Sequence, residues 1–270
     1  MGARVRWPLT ILLYAAGSVA QTVIPPKIPE RPQVVASVPG TPLVQEFPNH
    51  PQVGIAVWGL PPTKRRDNIS EIVVFRLDRR GEPHAIWRSE LESTYAPTIE
   101  FVPGIVSEGL PVGIVFQQFG AAWGEIELVG RLGGHIARLQ RLMCTFYETK
   151  RLESDGPDDI LCHVNSDILD IPYAYRWNGR RLVDVSTKHP DFYRDVLRED
   201  EKEPYEDWGG GLGLYSLAQI AGLAGDRIEE TRLLRLALAH ELVRGREKDP
   251  ETLRWIGKKL QSLGIAPPRQ

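Results

Sequence analysis

The sequence predicts an α+β chain, with antiparallel β-meander units over its middle and a small C-terminal α-helical bundle. Three observations carry this. Segments rich in Val, Ile and aromatic residues alternate with Gly and Asn-Gly turn signals up to Ser186, after which the apolar period changes from 2 to about 3.6. A β-rich motif also recurs roughly every 50 residues: "VGIAVWG" at Val53 to Gly59 is echoed by "VGIVFQQFG" at Val112 to Gly120. The composition suits a globular chain, with 42% hydrophobic and 25% charged residues supplying enough apolar material for one sizeable domain or two small ones.

Residues 1–20 read as a signal peptide. Arg4 and Arg6 form a positive start, and "WPLTILLYAA" from Trp7 to Ala16 has the length of a signal core rather than a membrane span. "SVA" at Ser18 to Ala20 places small residues where a signal peptidase accepts them. The chain is therefore expected to be secreted or periplasmic, and no later segment approaches the length needed to cross a membrane. Residues 21–52 are punctuated by proline, which forbids a helix and favours extended chain, so this stretch reads as a Pro-rich linker or arm.

Residues 53–188 form the expected β-repeat domain. Each apolar strand is followed by a hairpin signal: Glu71 to Ser89 with a turn at Arg79 to Pro83, Glu125 to Gln140 with Gly133 and Gly134 in the turn, and Ile171 to Ser186 with Asn178-Gly179. A further hairpin is expected between "MCTFYE" and "DILCHV", across the turn-rich stretch from Ser154 to Asp158. Its register decides whether Cys144 and Cys162 meet. A turn centred near Glu153 sets them opposite each other and permits a disulfide, whereas one centred on Gly156 leaves two buried thiols.

"SEGLPVGIVF" at Ser107 to Phe116 and "SDGPDDILCH" at Ser154 to His163 are similar to the loop and strand of FG-GAP or VCBS-type β-propeller repeats, and "YRWNGRRLVDVS" at Tyr175 to Ser186 resembles their outer hairpin. The resemblance covers about residues 53–193. It implies blades of antiparallel strands in a partial or degenerate β-propeller-like arrangement, calcium support, and a role in extracellular adhesion or ligand recognition. Asp155, Asp158 and Asp159 are the candidate calcium ligands, with Glu153 as a fourth. They depart from the alternating acidic spacing, and calcium needs six to eight oxygens. Three units also fall short of the four to eight blades that close a ring.

Residues 189–270 read as helical. Pro190 opens a helix carrying Phe192/Val196 and Tyr193/Leu197 as i,i+4 pairs, and it stops before Pro204. "DWGGGLG" then acts as a joint into an apolar helix with Leu214, Leu217, Ala218 and Ala221 on one stripe. Asp226 and Glu229 make a capping box for the next helix, which ends at Gly245, and whose Arg227, Glu230, Arg235 and Glu241 read as a solvated surface. Asp249 and Pro250 open the last helix, with Leu253, Ile256, Leu260 and Leu263 on its buried edge.

A formal net charge of −2 gives no electrostatic footprint for nucleic acid, and the basic cluster Lys64, Arg65 and Arg66 is a short loop beside Asp67. Nucleophile-elbow, phosphate-loop, zinc-protease and dinucleotide motifs are missing from the sequence. The leading expectation is a secreted non-catalytic binding or structural module with a protein or glycan partner, Trp58, Trp87, Trp123 and Trp177 being its aromatic candidates. The rival readings are an exported hydrolase using carboxylates such as Glu71, Asp159 and Asp184, and a scaffold that oligomerises through its helical tail.

Overall fold

A computed structural model describes residues 43–59, 69–92, 97–118, 123–165, 170–200, 210–243 and 249–265. The signal segment, the linker as far as residue 42, the Lys64 to Arg66 cluster and Gly245 lie outside them. The described strands make three four-stranded antiparallel sheets, each a meander in chain order. The first contains β1 (Leu43–Phe47), β2 (His50–Gly59), β3 (Ile69–Leu77) and β4 (Pro83–Glu92). The second contains β5 (Thr98–Ser107), β6 (Leu110–Gln118), β7 (Gly124–Leu132) and β8 (His135–Met143). The third contains β9 (Phe146–Lys150), β10 (Asp159–Asn165), β11 (Asp170–Trp177) and β12 (Leu182–Asp184). Among the described residues these sheets form no closed barrel or ring.

The repeated motif occupies the same place in two units, since Val53 to Gly59 lies in β2 and Val112 to Gln118 in β6. The hairpin turns also fall where the turn chemistry puts them: Asp78 to Glu82, Gly133-Gly134, and Asn178 to Arg181, where the Asn178 side chain accepts from the Arg180 and Arg181 amides. One boundary is corrected. Residues 43–52, assigned to the linker because of their prolines, form β1 and the start of β2, with Pro48 in the turn and Pro51 beside the register shift at Phe47. Proline is tolerated at such edge and bulge positions.

The sheets stack face to face. Val53, Ile55, Val57, Ile72 and Val74 of the first meet Leu110, Val115 and Val129 of the second. On its other face the second sheet packs Val112, Ile114, Ile126 and Leu128 against Ile160, Cys162 and Leu182 of the third. Burial on both faces is why β6 reads as a nearly continuous apolar run rather than an alternating one. The edge strands are tied across the gaps: the Gln140 amide of β8 both donates to the Leu182 carbonyl and accepts from its amide, and Tyr147 of β9 donates to Glu100 of β5 at 2.6 Å.

Four helices follow, α1 (Pro190–Asp200), α2 (Gly211–Leu223), α3 (Arg227–Val243) and α4 (Pro250–Ser262). They dock on the third sheet through Tyr193. Its ring is fully buried, and its hydroxyl donates to the Pro172 carbonyl at 2.7 Å while accepting from the Ala174 amide. Leu214, Leu217, Ala218 and Ala221 of α2 are all buried, as are Leu253, Ile256 and Leu260 of α4. Asp226 accepts from the Glu229 amide, and Asp249 caps α4 by accepting from the Glu251 and Thr252 amides ahead of Pro250. Helix α2 begins inside the glycine run that reads as a joint, with Gly210 at φ 77 just before it.

The surface reading of α3 is corrected too: Glu230 and Glu241 are 0% and 1% exposed. They face the two glycines of α2 that stand, like them, eleven positions apart. A Cβ on Gly222 would lie 2.6 Å from Glu230 Oε1, and one on Gly211 would lie 2.3 Å from Glu241 Oε1. Each carboxylate also holds one end of α4. Glu230 pairs with Lys259 at 3.0 Å, and Glu241 accepts from the Asp249 amide at 3.1 Å. His240 is a half-exposed neighbour whose ring lies against Gly210.

Candidate functional site

The three candidate calcium ligands part company. Asp159 is fully buried at the start of β10, where both its oxygens accept from Arg176 of β11, at 2.7 and 2.8 Å. Asp158 pairs with Arg151 at 3.2 Å, and Asp155 is exposed in the turn. Glu153 reaches the far nitrogen of Arg176 at 3.2 Å, and His189, 5% exposed at the foot of α1, lies 3.7 Å from Asp159. Binding calcium at Asp159 would require displacing a bidentate guanidinium. Among the described residues, no three His, Cys, Asp or Glu side chains gather so as to hold a metal. What the cluster does is join the third sheet to the helices, with β10, β11, the turn before β10 and the start of α1 converging on one arginine.

Cys144 and Cys162 are bridged, with Cα atoms 5.3 Å apart, but not as a cross-strand pair. The ladder sets Cys162 opposite Tyr147. Cys144 stands off the ladder in the two-residue passage from β8 to β9, so the bridge ties the second sheet to the third. Neither hairpin centre considered for the turn describes this arrangement.

Two buried carboxylates occupy β7 on the face toward the first sheet. Glu125 accepts from Gln117 and pairs with Arg141 at 3.0 Å. Glu127 lies 2.7 Å from Arg138 Nε and 3.8 Å from Arg141, yet neither of its oxygens makes an aligned hydrogen bond. Arg138 in turn donates to Ser89 of the first sheet. Glu71 of β3 pairs with Arg88 of β4 at 3.1 Å, and it stands in its sheet where Glu125 stands in the second, just ahead of Ile72 and Ile126 respectively. A carboxylate near the start of the third strand, holding an arginine on the fourth, is thus a device of two units that the sequence reading missed. Its signal was the parallel between "SEIVVF" and "GEIELV".

Burial raises the Glu127 carboxyl above its ordinary value of 4.5; Arg138 and Arg141 oppose that, and Glu125 adds to it. The folded value therefore exceeds the unfolded one. The ionised group costs stability above the folded value, and that cost shrinks as pH falls from the folded value and is gone below the unfolded one. Glu127→Gln should leave the melting temperature at pH 7 unchanged or higher, because Arg138 and Arg141 are about two-fifths exposed and rehydrate. It should also flatten the pH dependence of stability between 4.5 and the raised value, as thermal melts at stepped pH would read.

The carboxylates proposed for hydrolysis do not converge. Glu71 belongs to the first sheet and Asp159 and Asp184 to the third, with the second sheet packed between, and Asp184 accepts from the Ser186 amide. The tryptophans divide. Trp87 and Trp177 pack against the cores and Trp177 donates to the Val106 carbonyl, the Trp58 side chain lies outside the described residues, and Trp123 is 65% exposed.

Trp123 has company. In a meander the turns β1–β2 and β3–β4 emerge at one end, and the connections β2–β3 and those between units at the other. In the second unit the first end is closed by Glu108, whose carboxylate accepts from the Gly133 and Gly134 amides and is thereby held below the usual carboxylate range. The second end carries, in the second and third units, exposed Trp123, Met143, Phe146 and Val164. Gly124 makes this possible beside Trp123, because a Cβ there would lie 2.5 Å from the Cys144 carbonyl oxygen. Phe146 stacks on His163 at 4.0 Å. This end, with its exposed apolar and aromatic side chains, is the candidate site. Comparison with family models, curated proteins and solved structures finds no match for the chain.

Proposed function

We propose that the protein is an exported, non-catalytic binding or structural module built from three degenerate blade-like units and closed at one end by a helical bundle. The observation that carries the proposal is the apolar rim of Trp123, Met143, Phe146 and Val164, set at one end of the second and third sheets, whose faces are already buried against each other. A blade-like reading agrees with three sequential meanders of four strands, and it makes the partner an extracellular or envelope protein or a glycan. The buried carboxylates support a scaffold rather than chemistry, because Glu71, Glu125, Glu127, Asp159 and Glu230 each stand against an arginine or lysine.

The test is an array of glycans and envelope proteins probed with the purified chain and with a Trp123→Ala, Phe146→Ala double variant. Binding that the double variant loses while keeping its melting temperature supports the proposal. Binding that ignores these substitutions, or turnover on a hydrolase substrate panel, overturns it. Among the described residues no helix is long and apolar enough to cross a membrane.

A further inference from the structure

The first sheet is buried on both faces. Ile55, Val57, Ile72 and Val74 turn toward the second sheet, so strand alternation turns Gly54, Ala56, Glu71, Val73 and Phe75 the other way. All five are buried. A Cβ on Gly54 would lie 2.3 Å from Phe75 Cζ, so the ring leans over the neighbouring strand β2. A ring on the outside of a sheet keeps its far side open unless chain lies over it, yet Phe75 is 1% exposed. Among the described residues, the partly buried apolar side chain packed against Ala56, Val73 and Phe75 is Leu77, which belongs to the same strand as the last two. The second sheet takes the opposite face, and the helices dock on the third sheet. The buried stripe is also narrow. Glu46 of β1 and Ala85, Arg88 and Glu90 of β4 flank it on the same face and are exposed. A cover one chain wide, running along β2 and β3, would shield what is buried and leave these flanks open.

We propose that residues 33–42, "QVVASVPGTP", fold back from the start of β1 and lie along this stripe of their own chain, independently of the function proposed above. Position favours them: Leu43 pairs with Val57, one row from Trp58 and Glu71, so β1 begins at the Glu71 end of the stripe. Pro39-Gly40 supplies turn chemistry for the reversal. Length is sufficient, because Glu71 to Phe75 spans about 13 Å at about 3.3 Å per residue. The six residues 33–38 cover about 19 Å when extended at about 3.1 Å each. Chemistry agrees as well. Val34, Val35 and Val38 are apolar, and no charged residue occurs between Arg31 and Glu46. Pro32, Pro39 and Pro42 lack amide donors, which suits a chain laid on a face better than a further ladder strand beside β1. The connection from β2 to β3 is the poorer cover, since Lys64, Arg65, Arg66 and Asp67 would have to lose water on an apolar surface.

The test places one thiol under the cover. Val73→Cys supplies the only free thiol, because Cys144 and Cys162 are bridged, and Ala85→Cys places a control thiol on the exposed flank. In the folded chain a maleimide is expected to label Val73→Cys at least tenfold more slowly than Ala85→Cys. Adding Val34→Asp/Val35→Asp should speed labelling at residue 73 at least tenfold and leave residue 85 unchanged, with the far-ultraviolet signal intact. Fast labelling of Val73→Cys in the otherwise unchanged chain overturns the proposal, and so does protection that survives the two aspartates. A benzophenone side chain at position 35, which leaves the sheet untouched, gives a second reading. Crosslinks to residues 54–56 or 71–75 within a monomer are expected. Crosslinks to other parts of the chain, or solely between two copies, overturn the proposal.

Discussion

Asp159→Ala should lower stability by about 3–5 kcal/mol, the cost expected when one partner of a buried ion pair is removed. Arg176 is only about one-fifth exposed, and losing Asp159 leaves it with Glu153, which is half exposed, and with the His189 ring. Both oxygens of Asp159 are engaged, so Asp159→Asn should recover only part of the loss, since an amide accepts through a single oxygen. Asp155→Ala in the same acidic stretch should stay within about 0.5 kcal/mol, as an exposed substitution does. Chemical denaturation of the three variants separates these outcomes. Repeating it in EDTA and in millimolar calcium tests the ligand reading of the stretch. If the arginine is the partner of Asp159, the Asp159→Ala deficit is the same in both. If calcium is, the parent chain gains stability with calcium and Asp159→Ala abolishes the gain. The effect should extend to the helices, because Arg176 connects β10 and β11 to the start of α1; loss of helical signal at the same midpoint as the β signal would show one cooperative unit.

The sequence exposes this protein where local chemistry decides, and conceals it where a partner distant in the chain decides. Gly133-Gly134 and Asn178-Gly179 are legible because those turns need the residues that supply them. Strands β2 and β6 are legible because a strand buried on both faces is apolar throughout. Strand β5 escapes notice because Pro103-Gly104 looks like a turn, whereas it sits in a register shift between Phe101 and Val106 with Gly104 at φ 86. Strand β1 is hidden by the prolines around it. The acidic run at 153–159 resembles a metal loop only while Arg176 is out of view, and that residue lies 17 positions beyond Asp159. The Cys144–Cys162 bridge also eludes a hairpin argument, because one cysteine lies outside the hairpin. At the rim, Trp123 reads no differently from Trp87 and Trp177, since exposure is set by how neighbouring sheets stack.

The burial of Glu230 and Glu241 is the hardest feature to read, and it leads to the second large expected effect. Apolar residues occur on both sides of α3, so its pattern marks no single inward face, and the space for the two carboxylates is provided by glycines on another helix. In an isolated helix, Gly→Ala at 211 or 222 would be favourable by up to about 1 kcal/mol. Here the added Cβ would meet Glu241 or Glu230 at less than van der Waals distance. A flexible carboxylate would ordinarily swing aside. Glu230 is held by Arg227 at 2.7 Å and Lys259 at 3.0 Å, and Glu241 by the Asp249 amide at 3.1 Å, so moving either breaks a bond to α4 or its cap. The overpacking cost of about 1–3 kcal/mol should therefore exceed the propensity gain, and both substitutions should destabilise. Gly222→Ala combined with Glu230→Ala should recover part of the loss, because the clash disappears with the carboxylate and Arg227 and Lys259 are exposed enough to rehydrate. A double-mutant cycle read by denaturation measures that coupling. If Gly222→Ala alone stabilises the chain, the close approach of α2 and α3 does not exist in solution. Glu230 would then belong to the solvated surface that its sequence neighbours suggest.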